Sequence, residues 1–235
     1  MRGLTLFIFS AALFFTACSP SVDELNEKGK SLLEEGQTQR AIDYFDRSLK
    51  KDPDNFEAHL IKGVALFQMK DFSQAEKEFS QAIQVDSTNY KGFYNRGNAY
   101  QEQQNFEEAI NDYSKAIELQ PELADGFINR SSAFFANRQF EEALYDLQAA
   151  NQLSPNNPTI TFNLGKVKMM IFQEKEAMED FKKYITMDPK NGEAFYLMGM
   201  IQISQKNKDE ACLYLKKAKQ LGFAKADEAL KDNCQ

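Results

Sequence analysis

The chain has 235 residues and an acidic balance, with 28 Lys and Arg against 35 Asp and Glu for a net charge of −7. Without a basic arm to release phosphate counterions it is a poor binder of nucleic acid. A single histidine and three cysteines, none of them in a CxxC arrangement, leave no ligand set for a zinc site.

In chain order the first element is a leader. Met1-Arg2 is a short basic start, and Leu4 to Phe15 is an apolar run too short to span a membrane comfortably, which gives residues 1–17 the shape of a secretory signal peptide. Thr16-Ala17-Cys18 then closes the run with small residues before a cysteine. This resembles the lipobox of bacterial lipoproteins, with Phe15 where leucine is usual. The resemblance implies that Cys18 becomes a lipid-modified N-terminus and that residues 18–21 are a lipidated linker. An ordinary cleaved signal, or an uncleaved anchor, is the alternative. Cleavage removes only Arg2 from the charge balance, and the acidic excess then lies in residues 18–123, with 12 basic against 20 acidic side chains, while residues 124–235 carry 15 of each. A solvated surface accounts for most of that charge.

From Val22 the sequence repeats every 34 residues. Ala41, Ala75, Ala109, Ala143, Ala177 and Ala211 share one phase, and Gly29, Gly63, Gly97, Gly165 and Gly199 share another, with Ser131 in the missing slot. Phe72, Phe106 and Phe140 hold a third, and Pro53, Pro121, Pro155 and Pro189 a fourth. Six repeats result, at 22–55, 56–89, 90–123, 124–157, 158–191 and 192–225. In the third, Phe93, Gly97 and Tyr100 mark one helix and Ala109, Tyr113, Ala116 and Ile117 a second, at helical spacing. The small residues imply close approach of the two helices, and each proline ends a repeat because it cannot continue a helix. In the second repeat Asp86-Ser87-Thr88-Asn89 offers N-cap residues instead. The fourth repeat departs at Ser131 and Leu147, and the sixth ends on Leu221-Gly222-Phe223 before a terminal helix within 224–235 that can cap it.

The period and the third repeat, with NRGNAY followed by EEAINDYSKAIELQP, resemble the tetratricopeptide repeat family over residues 22 to about 225. That resemblance implies an all-α, right-handed superhelical solenoid of six helix-turn-helix repeats plus a C-terminal capping helix. It also implies that the first helices line a concave groove holding another protein. Carried onto this chain, the groove residues are Leu60, Val64 and Phe67, then Tyr94, Asn95 and Asn98, then Ile128, Asn129 and Phe135, then Phe162, Asn163 and Lys166, and Tyr196. Asn95, Asn129 and Asn163 form a ladder suited to the backbone of an extended peptide. A chaperone C-terminus does not fit the resemblance, since Leu60 and Val64 in the second repeat and Tyr94 and Asn98 in the third stand where the family's carboxylate clamp has a basic residue and Asn.

Nothing in the sequence assembles a catalytic site. His59 falls where Phe93, Phe127 and Phe195 sit in other repeats and reads as packing, and the glycines are spread one per repeat with no phosphate loop. Pairs such as Glu107-Glu108 and Glu141-Glu142 suit helix starts. The expected function is therefore a lipid-anchored scaffold with a protein partner, no cofactor and no metal, not an enzyme, touching membrane through its lipid alone. Ser19 after the cysteine points to the outer membrane, facing the periplasm. A pilotin-like accessory of outer-membrane assembly or secretion is the nearest alternative, and an enzyme or a binder of small molecules or glycan the distant one. Cys212 and Cys234 are an even pair in an exported chain, brought together if the last two helices pack antiparallel; the alternative is two unpaired thiols.

Overall fold

The computed structural model describes residues 19–234, so the expectations for the leader and for Cys18 lie outside the described residues. Those residues form thirteen helices and no strand. They divide after Pro53 into two compact parts.

The first part is the pair α1 (Val22–Glu34) and α2 (Thr38–Lys51). A capping box starts α1: Glu24 N–H donates to Ser21 Oγ at 3.1 Å and Ser21 N–H to Glu24 Oε2 at 2.8 Å. Lys51 Nζ, at the end of α2, donates to Ser19 Oγ and Pro20 O, both at 2.5 Å, which holds the linker against this pair.

The second part holds five further pairs and a last helix. They are α3 (Phe56–Gln68) with α4 (Phe72–Val85), α5 (Tyr90–Glu102) with α6 (Phe106–Leu119), and α7 (Ala124–Ala136) with α8 (Phe140–Leu153). There follow α9 (Pro158–Met170) with α10 (Glu174–Met187), α11 (Gly192–Ser204) with α12 (Lys208–Gln220), and α13 (Lys225–Asn233). Each helix packs on the next, α3, α5 and α7 adjoin one another in turn, and α13 lies on α12 and α11. Caps explain the starts: Asn55 Oδ1 accepts from Ala58 N–H at 2.9 Å, Asn191 Oδ1 from Ala194 N–H at 3.0 Å, and Pro158 fills the first turn of α9. Between the helices of a pair the chain turns through a left-handed residue, for example Lys70 at φ 64°. There Asp71 N–H reaches back to Leu66 O at 3.0 Å, closing the first helix as a Schellman turn does.

The small-residue phases are the contact between paired helices. A Cβ added to Gly63 would stand 2.5 Å from a ring atom of Phe79, and one on Gly97 2.8 Å from Tyr113. On the second helices, Ala75, Ala109 and Ala143 are fully buried. Ala109→Leu has no room and should lower stability by about 1–3 kcal/mol through overpacking. A thermal midpoint equal to that of the wild type would show that α5 and α6 do not meet as closely as described.

A second regularity was not anticipated. Arg96 grips Asp112 through Nε and Nη2 at 2.7 and 2.8 Å, and its Nη1 donates to Ser80 Oγ at 3.1 Å. Arg130 does the same to Asp146, at 2.7 Å twice, and to Ser114 Oγ at 2.9 Å. Lys62 Nζ meets Glu78 Oε1 at 2.6 Å in the corresponding place of the second repeat. Each arginine ties the two helices of its own repeat to the second helix of the repeat before it. His59 is buried beside this row, its Nδ1 2.7 Å from Glu78 Oε2. Burial alone would raise the Glu78 carboxyl, but hydrogen bonds from His59 and Lys62 outweigh it and hold that carboxyl below its usual value.

Candidate binding groove

The first helices α3, α5, α7, α9 and α11 bring the expected groove residues to neighbouring positions. Asn129 on α7 donates to Tyr94 Oη and to Asn98 Oδ1 on α5, both at 3.0 Å, and Tyr113 Oη donates to the same Asn98 oxygen at 2.8 Å. Lys166 Nζ on α9 stands 5.7 Å from the ring centre of Phe135 on α7 and 5.5 Å from that of Phe162. The same ammonium lies 3.9 Å from Glu193 on α11. One continuous face therefore runs from α5 to α11.

The asparagine ladder is not three equal rungs. Asn95 spends its amide on Lys91 O, one turn back on its own helix, at 2.8 Å. Asn129 spends both amide protons on Tyr94 and Asn98 and keeps Oδ1 as an acceptor. Asn163 makes no side-chain hydrogen bond among the described residues and borders a cavity with Ser132, Phe135 and Lys166. Burial raises the Tyr94 hydroxyl, and it raises that of Tyr113 further, so both stay protonated and the network is insensitive to pH in the working range.

The aromatic positions are half-buried, each against a second ring. Phe67 meets Phe72 edge-on with centroids 5.2 Å apart, and Phe135 meets Phe140 at 5.3 Å. Phe162 lies 4.8 Å from Tyr184, and Tyr196 5.0 Å from Phe223. Such rings are steadied by a neighbouring ring and remain partly exposed, the form of an anchor. Leu60 and Val64 on α3 are likewise half-buried.

Ile128 requires a correction. It is 8% exposed and belongs to the core formed with Ala143, Leu147, Ile160 and Leu164, so it supports the face from below and offers a ligand almost nothing. A helix stripe wide enough to touch both the groove and the paired helix placed it on the wrong side of that boundary.

Cys212 and Cys234 form a disulfide with Cα atoms 5.8 Å apart, stapling α13 to α12. With it, α13 flanks Tyr196 and Met200 across a cavity of about 260 Å³, closing the end of the face. Among the described residues no group of three His, Cys, Asp or Glu could hold a metal ion, and no helix is long and apolar enough to cross a membrane.

Comparison with known proteins agrees with this fold. Models described as tetratricopeptide repeat match residues 32–96, 90–123, 160–191 and 192–221, and one described as TPR repeat matches 131–170. No curated protein matches the sequence. Among solved structures, YrrB, described as a TPR protein with an unusual peptide-binding site, is 23% identical with a TM-score of 0.70, over 80% of this chain and 97% of that one. Pseudomonas aeruginosa pilF is 21% identical with a TM-score of 0.75, over 90% and 97%. A tetratricopeptide repeat protein from Parabacteroides merdae ATCC 43184 is 18% identical with a TM-score of 0.67, over 91% and 99%. At these identities the likeness shows the fold alone.

Proposed function

The chain belongs to the tetratricopeptide repeat family, and we propose that it is a lipid-anchored scaffold that holds an extended segment of a partner protein along its first helices. Stacked repeats present long surfaces suited to another protein. The observation that carries the reading is the shared face of α5, α7 and α9, where Tyr94, Phe135 and Phe162 are ring anchors and Asn129 and Asn163 keep free hydrogen-bonding atoms. Such a face supplies apolar contact for side chains and polar contact for a backbone. The unusual peptide-binding site described for YrrB supports the same use of the fold.

Capture of the natural partner from membrane extracts tests this. Tyr94→Ala and Asn129→Ala should each weaken capture at least about tenfold, about 1.4 kcal/mol, with melts run in parallel to show that the fold persists. Charge reversal at the exposed Glu107 and Glu108 should change little. If the groove variants capture the partner as well as wild type while the reversed pair loses it, the partner sits on the outer face.

The anchor is proposed from the apolar run Leu4 to Phe15 and the Thr16-Ala17-Cys18 that closes it, and Ser19 after the cysteine supports an outer-membrane position facing the periplasm. Stable anchoring takes more than one acyl chain. Cys18→Ala should leave unprocessed precursor or release soluble protein. Maturation and membrane fractionation equal to wild type would refute lipidation.

A further inference from the structure

The fourth repeat breaks the pattern that fills the space between paired helices. In the first, second, third and fifth repeats a glycine faces a ring, and a Cβ on Gly29, Gly63, Gly97 or Gly165 would stand 2.5–2.8 Å from Phe45, Phe79, Tyr113 or Phe181. Glycine and ring thus occupy each other's room. In the sixth, Leu215 replaces the ring but closes onto Gly199, where a Cβ would meet it at 2.9 Å. The fourth repeat alone pairs a leucine, Leu147, with a serine, Ser131. The serine keeps the leucine off, the leucine is too short to replace a ring, and a cavity of about 130 Å³ opens between α7, α8 and α9.

Its chemistry is uneven. Phe135, Leu147 and Val167 give it apolar walls, with Asn163 and Lys166 as its amide and its charge. Ser131 and Ser132 also line it, but their hydroxyls already donate to Ile128 O at 2.6 and 3.1 Å. A carboxylate therefore finds its donors at the Lys166 end and an apolar stem finds its place at the serine end. The ammonium is held over the Phe135 and Phe162 rings, and its one carboxylate neighbour among the described residues, Glu193, is 3.9 Å away with both side chains partly exposed. An exposed pair of that length is weak and readily exchanged. This half of the chain is also the charge-balanced one, with 15 basic and 15 acidic side chains over residues 124–235.

We propose that this cavity is the specificity pocket of the groove and takes a glutamate side chain of the bound segment, its carboxylate replacing Glu193 at Lys166. The pocket rests on the groove reading above and adds to it the identity of one ligand residue. Glutamate is chosen over aspartate because its longer stem lays more apolar surface against Phe135, Leu147 and Val167.

The test uses the full chain and four mixtures of acetylated, amidated nine-residue peptides, randomised except at the central residue, which is fixed as Glu, Asp, Leu or Lys. Binding is read by fluorescence polarisation. The Glu mixture should bind about tenfold or more tightly than the others. Lys166→Met, which keeps the stem on the two rings and removes the charge, should abolish that preference. Ser131→Gly with Leu147→Phe restores the pairing of the second and fifth repeats and fills the cavity, so it should fold and lose the preference too. A preference for Leu that survives Lys166→Met, or binding indifferent to both variants yet lost in Tyr94→Ala, overturns the pocket and leaves the groove standing. Binding by no mixture, or binding that ignores Tyr94→Ala, overturns the groove and the pocket with it.

Discussion

Arg130→Met should cost about 3–5 kcal/mol, the usual loss when one partner of a buried ion pair is removed. The Asp146 side chain is 1% exposed, and both its oxygens are held by Arg130 at 2.7 Å. Without the guanidinium it has no cationic partner in that place and little access to solvent. Ser114 Oγ loses the bond it accepts from Arg130, and the Phe127 and Phe134 rings lose the cation 5.7 and 5.6 Å from their centres. The deficit should depend on pH. Burial pushes the Asp146 carboxyl up, and with its counter-charge gone the folded variant binds a proton that the unfolded chain, titrating near about 4, does not. The variant's stability therefore falls as pH rises from about 4 through the raised folded value, and its deficit is largest above that value. Hydrogen exchange in α7 and α8 at pH 5 and pH 7 reads both effects. A loss below about 1 kcal/mol with no pH dependence would mean that the pair behaves as a surface salt bridge. Replacing both partners, Arg130→Met with Asp146→Leu, should recover most of the loss.

Breaking the Cys212–Cys234 bridge should cost about 3 kcal/mol by the chain-entropy model for a sequence separation of 22. The loss should be local. The terminal helix α13 has nine residues and buries only Ala226 and Ala229, and a helix that short is marginal by itself. After Cys234→Ser its amides should lose exchange protection and its lysines should become open to trypsin, while α3 to α8 keep theirs. Unchanged protection of α13 would mean that packing on α11 and α12 suffices. A bridge of this kind forms and persists in an oxidising compartment, which supports the proposed export of the chain.

The repeat architecture was legible because its signals are steric and recur in phase. Glycine facing a ring, alanine at the helix contact and proline after the second helix each exclude the alternatives at every turn of the pattern. The Arg96–Asp112 and Arg130–Asp146 pairs were also written in phase, sixteen residues apart and repeated with Lys62 and Glu78. Taken singly, each charge reads as a solvated face, and only the recurrence of opposite signs at both places marks a buried contact. The asparagines show the opposite limit. Sequence phase puts Asn95, Asn129 and Asn163 on one stripe, but it does not tell that the first bonds its own helix and the second its neighbours. Ile128 fails for a related reason, since a stripe boundary is a matter of one side-chain direction. Ser131 and Leu147 were visible as departures, yet the cavity they leave depends on how far a leucine reaches, which only the packed helices show.

The central claim is that a partner lies along the first helices, and site-specific photo-crosslinking in living cells tests it most directly. A photoreactive residue at Gln101 or Ser132, half-buried on α5 and α7, should trap one and the same protein. The same residue at Asn111 or Glu179, exposed on α6 and α10, should trap none. A partner captured from Asn111 or Glu179 and absent from Gln101 and Ser132 would contradict the account.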